Sequence, residues 1–304
     1  MEFFKRTPNI DFIGKRHYTY VLTAILLAAS ILLLAVRGLN FGIDFTGGVV
    51  VEVSYPGVAD HDKARAALAA AGFEDAQVQS FGSSRDLMVR VLPPEGEDVN
   101  QVGARIQEAL RADEPQVVVR RTELVGPQVG RDLTEQGGLA LLFTFLGILA
   151  YVAFRFEKKM ATGTVLAAIH DPILILGFFA ATQMTFDLSV LAAILAVIGY
   201  SINDSVVIFD RVREVLLGTR KNISTKDMLN LAVNQTLSRT VMTSFSTLFV
   251  VVALKGFSAA IIVGVIVGTY SSIFIAAALA YDFKLKPQDL IAAKKSDPEL
   301  DALP

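Results

Sequence analysis

Four ionisable side chains sit inside stretches that are otherwise apolar: His170, Asp171, Asp204 and Arg239. An Asp or Arg at the centre of a bilayer costs about 2.5–3.5 kcal/mol on insertion scales, so such groups face protein or a water-filled cavity. Asp204 lies in Gly199-Tyr200-Ser201-Ile202-Asn203-Asp204-Ser205, six residues before Asp210, a helical rise of about 9 Å. Arg239 falls at comparable depth in the next apolar run, and an Asp–Arg ion pair between the two helices is geometrically reasonable. An acid that gains and loses its proton beside a guanidinium is a protonation switch. The competing reading is a static buried pair, or an Arg that snorkels to the interface.

Polar residues accompany these charges at helical spacing. Thr236, Arg239, Thr240, Thr243, Ser246 and Thr247 follow one another in the fifth run, and Thr269, Tyr270, Ser271 and Ser272 lie in the sixth. With Tyr200, Ser201 and Asn203 they form either a hydrated seam for proton movement or interhelical hydrogen bonds worth about 0.6 kcal/mol each. His170-Asp171-Pro172 stands near the middle of the third run: a titrating His–Asp pair, or a His satisfied by a neighbouring carbonyl. Pro172 removes one backbone hydrogen bond there. Gly264 and Gly268 have the spacing of a helix-packing pair. The chain has no Walker A sequence, no Gly-x-Ser-x-Gly elbow and no His-Glu-x-x-His helix, the signatures of nucleotide, acyl-transfer and zinc chemistry. Neither intramembrane Asp has the Gly-x-Gly-Asp context of an intramembrane protease. No metal or cofactor site is expected.

The elements that must position these groups are six apolar runs: Tyr18–Val36, Gly137–Phe154, Ala161–Ala181, Leu188–Phe209, Thr236–Leu254 and Phe257–Tyr281. Hydrophobic residues make up 53% of the 304 and mean hydropathy is +0.50, too apolar for one ordinary soluble domain. The net charge of −2 gives no basic field for nucleic acid. The absence of Cys excludes disulfides and thiolate metal sites. The first run is long for a signal peptide and is followed by Arg37-Gly38-Leu39-Asn40 rather than a small-residue cleavage site, so it reads as an uncleaved span. Basic residues alternate along the chain. Lys5, Arg6, Lys15 and Arg16 precede the first run, Arg155, Lys158 and Lys159 follow the second, and Arg211, Arg213, Arg220, Lys221 and Lys226 follow the fourth. Lys284, Lys286, Lys294 and Lys295 follow the sixth, whereas Thr182–Asp187 has none and Lys255 stands alone. The positive-inside rule then puts both termini in the cytoplasm and residues 38–135 outside. Asp210-Arg211-Val212-Arg213-Glu214 reads as a solvated helix end.

The expected organisation is a cytoplasmic N-terminus and first span (1–37), an extracytoplasmic domain (38–135), a five-helix membrane region (136–283) and a cytoplasmic tail (284–304). The outer segment carries strand signals at Val49–Tyr55, Ala76–Phe81, Leu87–Leu92 (stopped by Pro93-Pro94) and Val117–Val125, and helix signals at Asp60–Ala71 and Val99–Arg111. That β-α-β-β-α-β order is the ferredoxin-like arrangement of an antiparallel sheet with two helices on one face. Ser224 and Asp227 have capping-box spacing, with Asp in place of Glu, for a helix that could run on into the fifth span.

Four blocks carry a family resemblance: Gly42-Ile43-Asp44-Phe45-Thr46-Gly47-Gly48, Gly126-Pro127-Gln128-Val129-Gly130-Arg131-Asp132-Leu133, GYSINDSVVIFDRVRE at 199–214 and QTLSRTVMTS at 235–244. Their order and context resemble the SecF family, subunits of the SecDF accessory complex of bacterial protein export, over about residues 10–285. The resemblance implies an α-helical polytopic protein with six transmembrane helices, similar to half of a resistance-nodulation-division (RND) transporter. It implies a separate SecD chain as partner, association with the SecYEG channel, a preprotein as substrate and a place in the inner membrane. It also implies proton-motive-force-driven work rather than enzymatic catalysis, with Asp204 and Arg239 at the positions associated with proton transport. An RND-like small-molecule or ion exporter, an intramembrane protease using Asp171 and Asp204, and a non-transporting scaffold are the alternatives.

Overall fold

The computed structural model describes residues 7–92, 99–218, 223–251 and 255–292. In chain order they form α1 (Arg16–Arg37), β1 (Asn40–Phe41), α2 (Ile43–Thr46), β2 (Gly48–Ser54), α3 (His61–Ala70), β3 (Gln77–Phe81), β4 (Ser83–Val91), α4 (Val99–Asp113) and β5 (Val118–Val125). There follow α5 (Pro127–Arg155), α6 (Lys158–Thr182), β6 (Thr185–Phe186), α7 (Leu188–Gly218), α8 (Thr225–Val251) and α9 (Lys255–Tyr270). A π-helical turn (Ser271–Ala276), α10 (Ala277–Asp282) and α11 (Pro287–Ala292) complete the described chain. Pro93-Pro94, Lys5, Arg6, Arg220, Lys221, Lys294, Lys295 and the end of the fifth apolar run at 252–254 lie outside the described residues. The chain divides into two compact units, one of Phe41–Ala140 with Thr185–Leu188, the other of the remaining residues.

In the first unit the sheet order β3-β4-β2-β5, with every pairing antiparallel, is the ferredoxin-like topology expected from the sequence. Alternation along the strands sets one face inward. Val49, Val51 and Val53 of β2 stand opposite Val91, Val89 and Leu87 of β4, and all six are buried. Such directly opposed apolar pairs, two of them Val–Val, are the unit of sheet stabilisation. Ala64 and Leu68 of α3 and Val102, Ile106 and Leu110 of α4 complete the same core; the two helices present these residues at i, i+4 and i+8. Asp60 caps α3, its Oδ1 accepting from the Asp62 and Lys63 amides at 3.0 and 3.2 Å, which holds this carboxyl below its ordinary range.

The second unit is a helical bundle. Among the described residues of the whole chain, five helices are long and apolar enough to cross a membrane: Arg16–Arg37, Gln128–Arg155, Lys158–Thr182, Leu188–Gly218 and Phe257–Asp282. The described part of the expected fifth span, residues 236–251, lies in α8, which has the length (27 residues) but is not among those five. The N-cap half of the expected capping box is present, the Ser224 hydroxyl accepting from the Asp227 amide at 3.1 Å, while the Asp227 carboxylate accepts from that hydroxyl at 2.7 Å rather than from the Ser224 backbone N–H. The helix it opens continues unbroken to Val251. Gly264 and Gly268 lie against Val197 and Ser201 of α7, and a β-carbon on Gly264 would come within 2.4 Å of the Val197 side chain. The pair therefore packs helices.

Ion pairs join the basic helix ends. Arg16 meets Asp282 at 2.9 Å, Lys159 meets Asp289 at 2.6 Å, Lys226 meets Asp11 at 2.6 Å, and Arg155 pairs with Asp210. The starts of α1, α6 and α8 and the ends of α5, α7 and α10 thus gather in one layer. Asp210, read from sequence as part of a solvated helix end, is a tie between α5 and α7. Arg213 reinforces it by donating to the Arg155 carbonyl at 2.9 Å, and both guanidiniums lie over the Phe156 ring. In the same layer Asn234 grips the backbone of Ile10 on both sides, accepting from its N–H at 2.9 Å and donating to its C=O at 2.8 Å. Asn230 accepts from the Ile13 amide.

Candidate functional site

The middle of the bundle holds its polar side chains where α6, α7, α8 and the last span face one another. Asp171, one residue before Pro172 in an otherwise continuous α6, is 0% exposed. Its Oδ1 lies 2.9 Å from His170 Nδ1. Its Oδ2 accepts from the Ser201 hydroxyl of α7 at 2.5 Å and from the Ser271 hydroxyl of the π-helical turn at 2.9 Å. The two serine oxygens are 3.4 Å apart. One carboxylate thus gathers three elements, and Gly268, whose β-carbon would sit 3.1 Å from Ser201 and 3.5 Å from the Asp171 carboxylate, leaves room for it. His170 Nε2 is buried without a hydrogen-bond partner.

Asp204 lies one turn along α7 from Ser201, on the same face by its i, i+3 spacing. It is 1% exposed, and its Oδ2 is buried with no hydrogen-bond partner. Arg239 of α8 is the charge that acts on it, but no ion pair within 4.0 Å joins the two among the described residues. The pair expected from the sequence is not closed in this structure. Arg239 is exposed and Thr240, the next residue, is buried with an unpartnered hydroxyl. Buried polar atoms nearly always find partners, so three orphan atoms on His170, Asp204 and Thr240 set this region apart.

A second hydrogen-bonded chain runs beside it. The Tyr200 hydroxyl lies 2.6 Å from Ser244 Oγ, which lies 2.7 Å from Thr269 Oγ1, linking α7, α8 and α9. The sequence stripe missed Ser244, although it stands at i+4 from Thr240 and i+8 from Thr236. Thr243 turns back onto its own helix, donating to the Thr240 and Arg239 carbonyls, and Asn203 is exposed; neither joins the buried clusters. Ser271 was legible only as one member of a polar run. Among the described residues no group of three or more His, Cys, Asp or Glu side chains gathers as a metal site would require.

Comparison with known proteins gives this arrangement its context. Residues 105–286 match the family described as protein export membrane protein SecD/SecF, C-terminal, and residues 32–55 match the SecD/SecF GG motif. The protein translocase subunit SecF of Pseudomonas aeruginosa is 45% identical over 95% of this chain and 96% of its own length. That of Escherichia coli O157:H7 is 41% identical over 93% and 91%.

The chain belongs to the SecF family.

Among solved structures it is similar to SecDF of Thermus thermophilus, a translocon-associated membrane protein, with a TM-score of 0.82 and 34% identity over 92% of this chain. The super-membrane-facing form of SecDF aligns with a TM-score of 0.68 and 33% identity over 96%. The chain spans 39% of the length of the first SecDF structure, whereas it matches the curated SecF relatives nearly end to end. As a SecF protein it is a translocase subunit, and GYSINDSVVIFDRVRE and QTLSRTVMTS are the segments of α7 and α8 that carry Asp204 and Arg239.

Proposed function

We propose that this SecF-family chain works with a separate SecD chain, beside the SecYEG channel, to draw preproteins out of the cytoplasm at the expense of the proton-motive force. In this reading it crosses the bacterial inner membrane six times, α8 supplying the crossing beyond the five most apolar helices. Both termini and the layer of ion-paired basic ends lie in the cytoplasm, and residues 38–135 lie outside. Support for α8 as a span comes from Ser244, bonded to Tyr200 of α7 and Thr269 of α9, both within apolar spans. The basic residues of the gathered helix ends support the orientation.

The observation that carries the proton reading is Asp204, buried to 1% exposure with one carboxyl oxygen unpartnered and Arg239 close enough to act on it without bonding to it. Desolvation favours the neutral acid and the guanidinium favours the anion. A change in water access or in the Arg239 distance therefore loads or unloads the proton. One charge crossing 100 mV is worth about 2.3 kcal/mol, and two access states of Asp204 turn that energy into motion. Asp204 is the carrier and Arg239 the group that discharges it. Tyr200, Ser201, Thr240 and the Ser244–Thr269 pair supply hydroxyls along the way. The test is complementation in cells lacking their own SecF. The chain, co-expressed with its SecD, should restore preprotein export, and a protonophore should remove the gain. Restored export that is indifferent to the protonophore would overturn the proposal.

A further inference from the structure

Asp171 is a fully buried carboxylate with three hydrogen-bond partners, and the proton cycle assigned to Asp204 does not use it. Its bonds are unevenly divided. Oδ1 takes His170 alone, while Oδ2 accepts two hydroxyl hydrogens, from Ser201 of α7 and Ser271 of the π-helical turn. A carboxylate oxygen can accept both. Once a proton is bound to Oδ2 that oxygen becomes a donor and needs an acceptor, so at least one serine must reverse its hydrogen bond or leave.

The structure already provides the alternative for one of them. Ser271 Oγ is 3.2 Å from the Gly268 carbonyl of its own helix. It can turn its hydroxyl there without leaving a buried donor unmade; the Ser201 oxygen then accepts from the new carboxyl O–H, and the Ser201 hydrogen turns to Ser271 Oγ, 3.4 Å away. We infer that Asp171 is a second proton-accepting group of the transport cycle and that its proton decides whether the π-helical turn is tied to α6. Ionised, Asp171 holds α6, α7 and the turn together through both serines. Protonated, it keeps Ser201 and releases Ser271. One O–H bond forms at Oδ2, no covalent bond in the protein breaks, and the proton leaves by the reverse step.

The titratable groups around the cluster fit this placement. On α6 there is His170, whose Nε2 is buried without a partner, so a proton placed there would face no acceptor. On α7 there is Asp204, one turn from Ser201. On α9 there is Tyr270, whose hydroxyl is committed to Thr19 and Thr23 of α1. Single-turn π-helices inside α-helices recur at functional sites, and this one begins at Ser271. The last span thus carries the movable partner at its irregular turn. The inference rests on the proton-driven reading above and deepens it by naming the contact that a proton opens.

The test uses the full chain with its SecD partner in lipid nanodiscs, with para-fluorophenylalanine placed at Phe274, which lies in the π-helical turn and stacks on Tyr270 at 5.3 Å. Lowering the pH should shift the fluorine spectrum between a tied and a released resonance. Asp171→Asn, which cannot ionise, should hold the released resonance at every pH. Ser271→Ala, which keeps every charge, should do the same. The ratio of the two resonances should move by about tenfold or more, as one hydrogen bond to a charged group dictates. A pH titration unchanged in either variant would overturn the inference, and if Asp171→Asn does not fold, Ser271→Ala decides it alone. The readout needs no gradient and no export. Loss of the latch with an intact Asp204 effect on export therefore sinks this inference only, and the reverse result sinks only the proposed function.

Discussion

Replacing Asp204 by Leu should make the protein more stable while disabling it. Asp204 is buried with an oxygen that bonds to nothing and with no ion pair to Arg239, so little direct bonding is lost with the carboxyl. An unsatisfied buried polar group carries a desolvation penalty of about 1–3 kcal/mol, and an apolar side chain of similar size removes it. For a bundle of this size about 1 kcal/mol corresponds to about 2–4 °C in melting temperature, which gives an expected rise of about 2–12 °C. Asp171→Leu should act in the opposite direction. It strands the His170 donor and leaves Ser201 only its long 3.4 Å contact to Ser271, while Ser271 can turn to Gly268, for a loss of about 2–6 kcal/mol. The assay is thermal unfolding of the purified complex in detergent at one fixed scan rate, because membrane proteins of this kind unfold irreversibly. A lower melting temperature for Asp204→Leu would show that Asp204 makes a structural bond, and the argument from its unpartnered oxygen would fail.

Ile106→Ala in α4, fully buried in the outer-unit core, should cost about 2–5 kcal/mol, read as faster amide exchange confined to that unit in the full chain. Asp11, held at about 2 against an ordinary 3.8 by its bond to Lys226 and then by the Gly14 amide, contributes stability that is present above pH 3.8 and lost as pH falls toward about 2. Release of the N-terminal segment from α8, followed by protease sensitivity near Gly14, should therefore set in below that value and not above it. Single cysteines at Val58 and Leu217, 79% and 72% exposed, should react from opposite sides of a sealed vesicle; reaction from one side would refute the proposed topology.

Much of the outer unit is legible because its signals are local. The alternation of Val49, Val51 and Val53, the Asp60 cap and the i, i+4, i+8 spacing of Val102, Ile106 and Leu110 each specify one element, and few arrangements bury all three faces at once. The membrane site is legible only in part. The cost of a charge in hydrocarbon marks Asp171, Asp204 and Arg239 in any apolar run, but it does not say what each one meets. Asp171 finds Ser201 thirty residues on and Ser271 a hundred residues on, contacts fixed by how three helices pack rather than by any local pattern. Helical periodicity places Ser201 and Asp204 on one face, yet it cannot foretell that the first is bonded and the second is not. The π-helical turn at Ser271 breaks the very periodicity used to read the last span. Likewise Asn234 is one more polar residue near a helix start until the Ile10 backbone is seen to lie against it.

The central claim, that Asp204 carries the proton that powers export, is tested by preprotein translocation into inverted membrane vesicles with and without an imposed proton gradient, comparing Asp204→Asn with the native chain at equal expression and equal SecD content. The native chain should be stimulated by the gradient, and Asp204→Asn, inserted and bound to SecD, should translocate at the ungraded rate under both conditions. A full gradient response in Asp204→Asn would make the Asp204–Arg239 region structural and contradict the account.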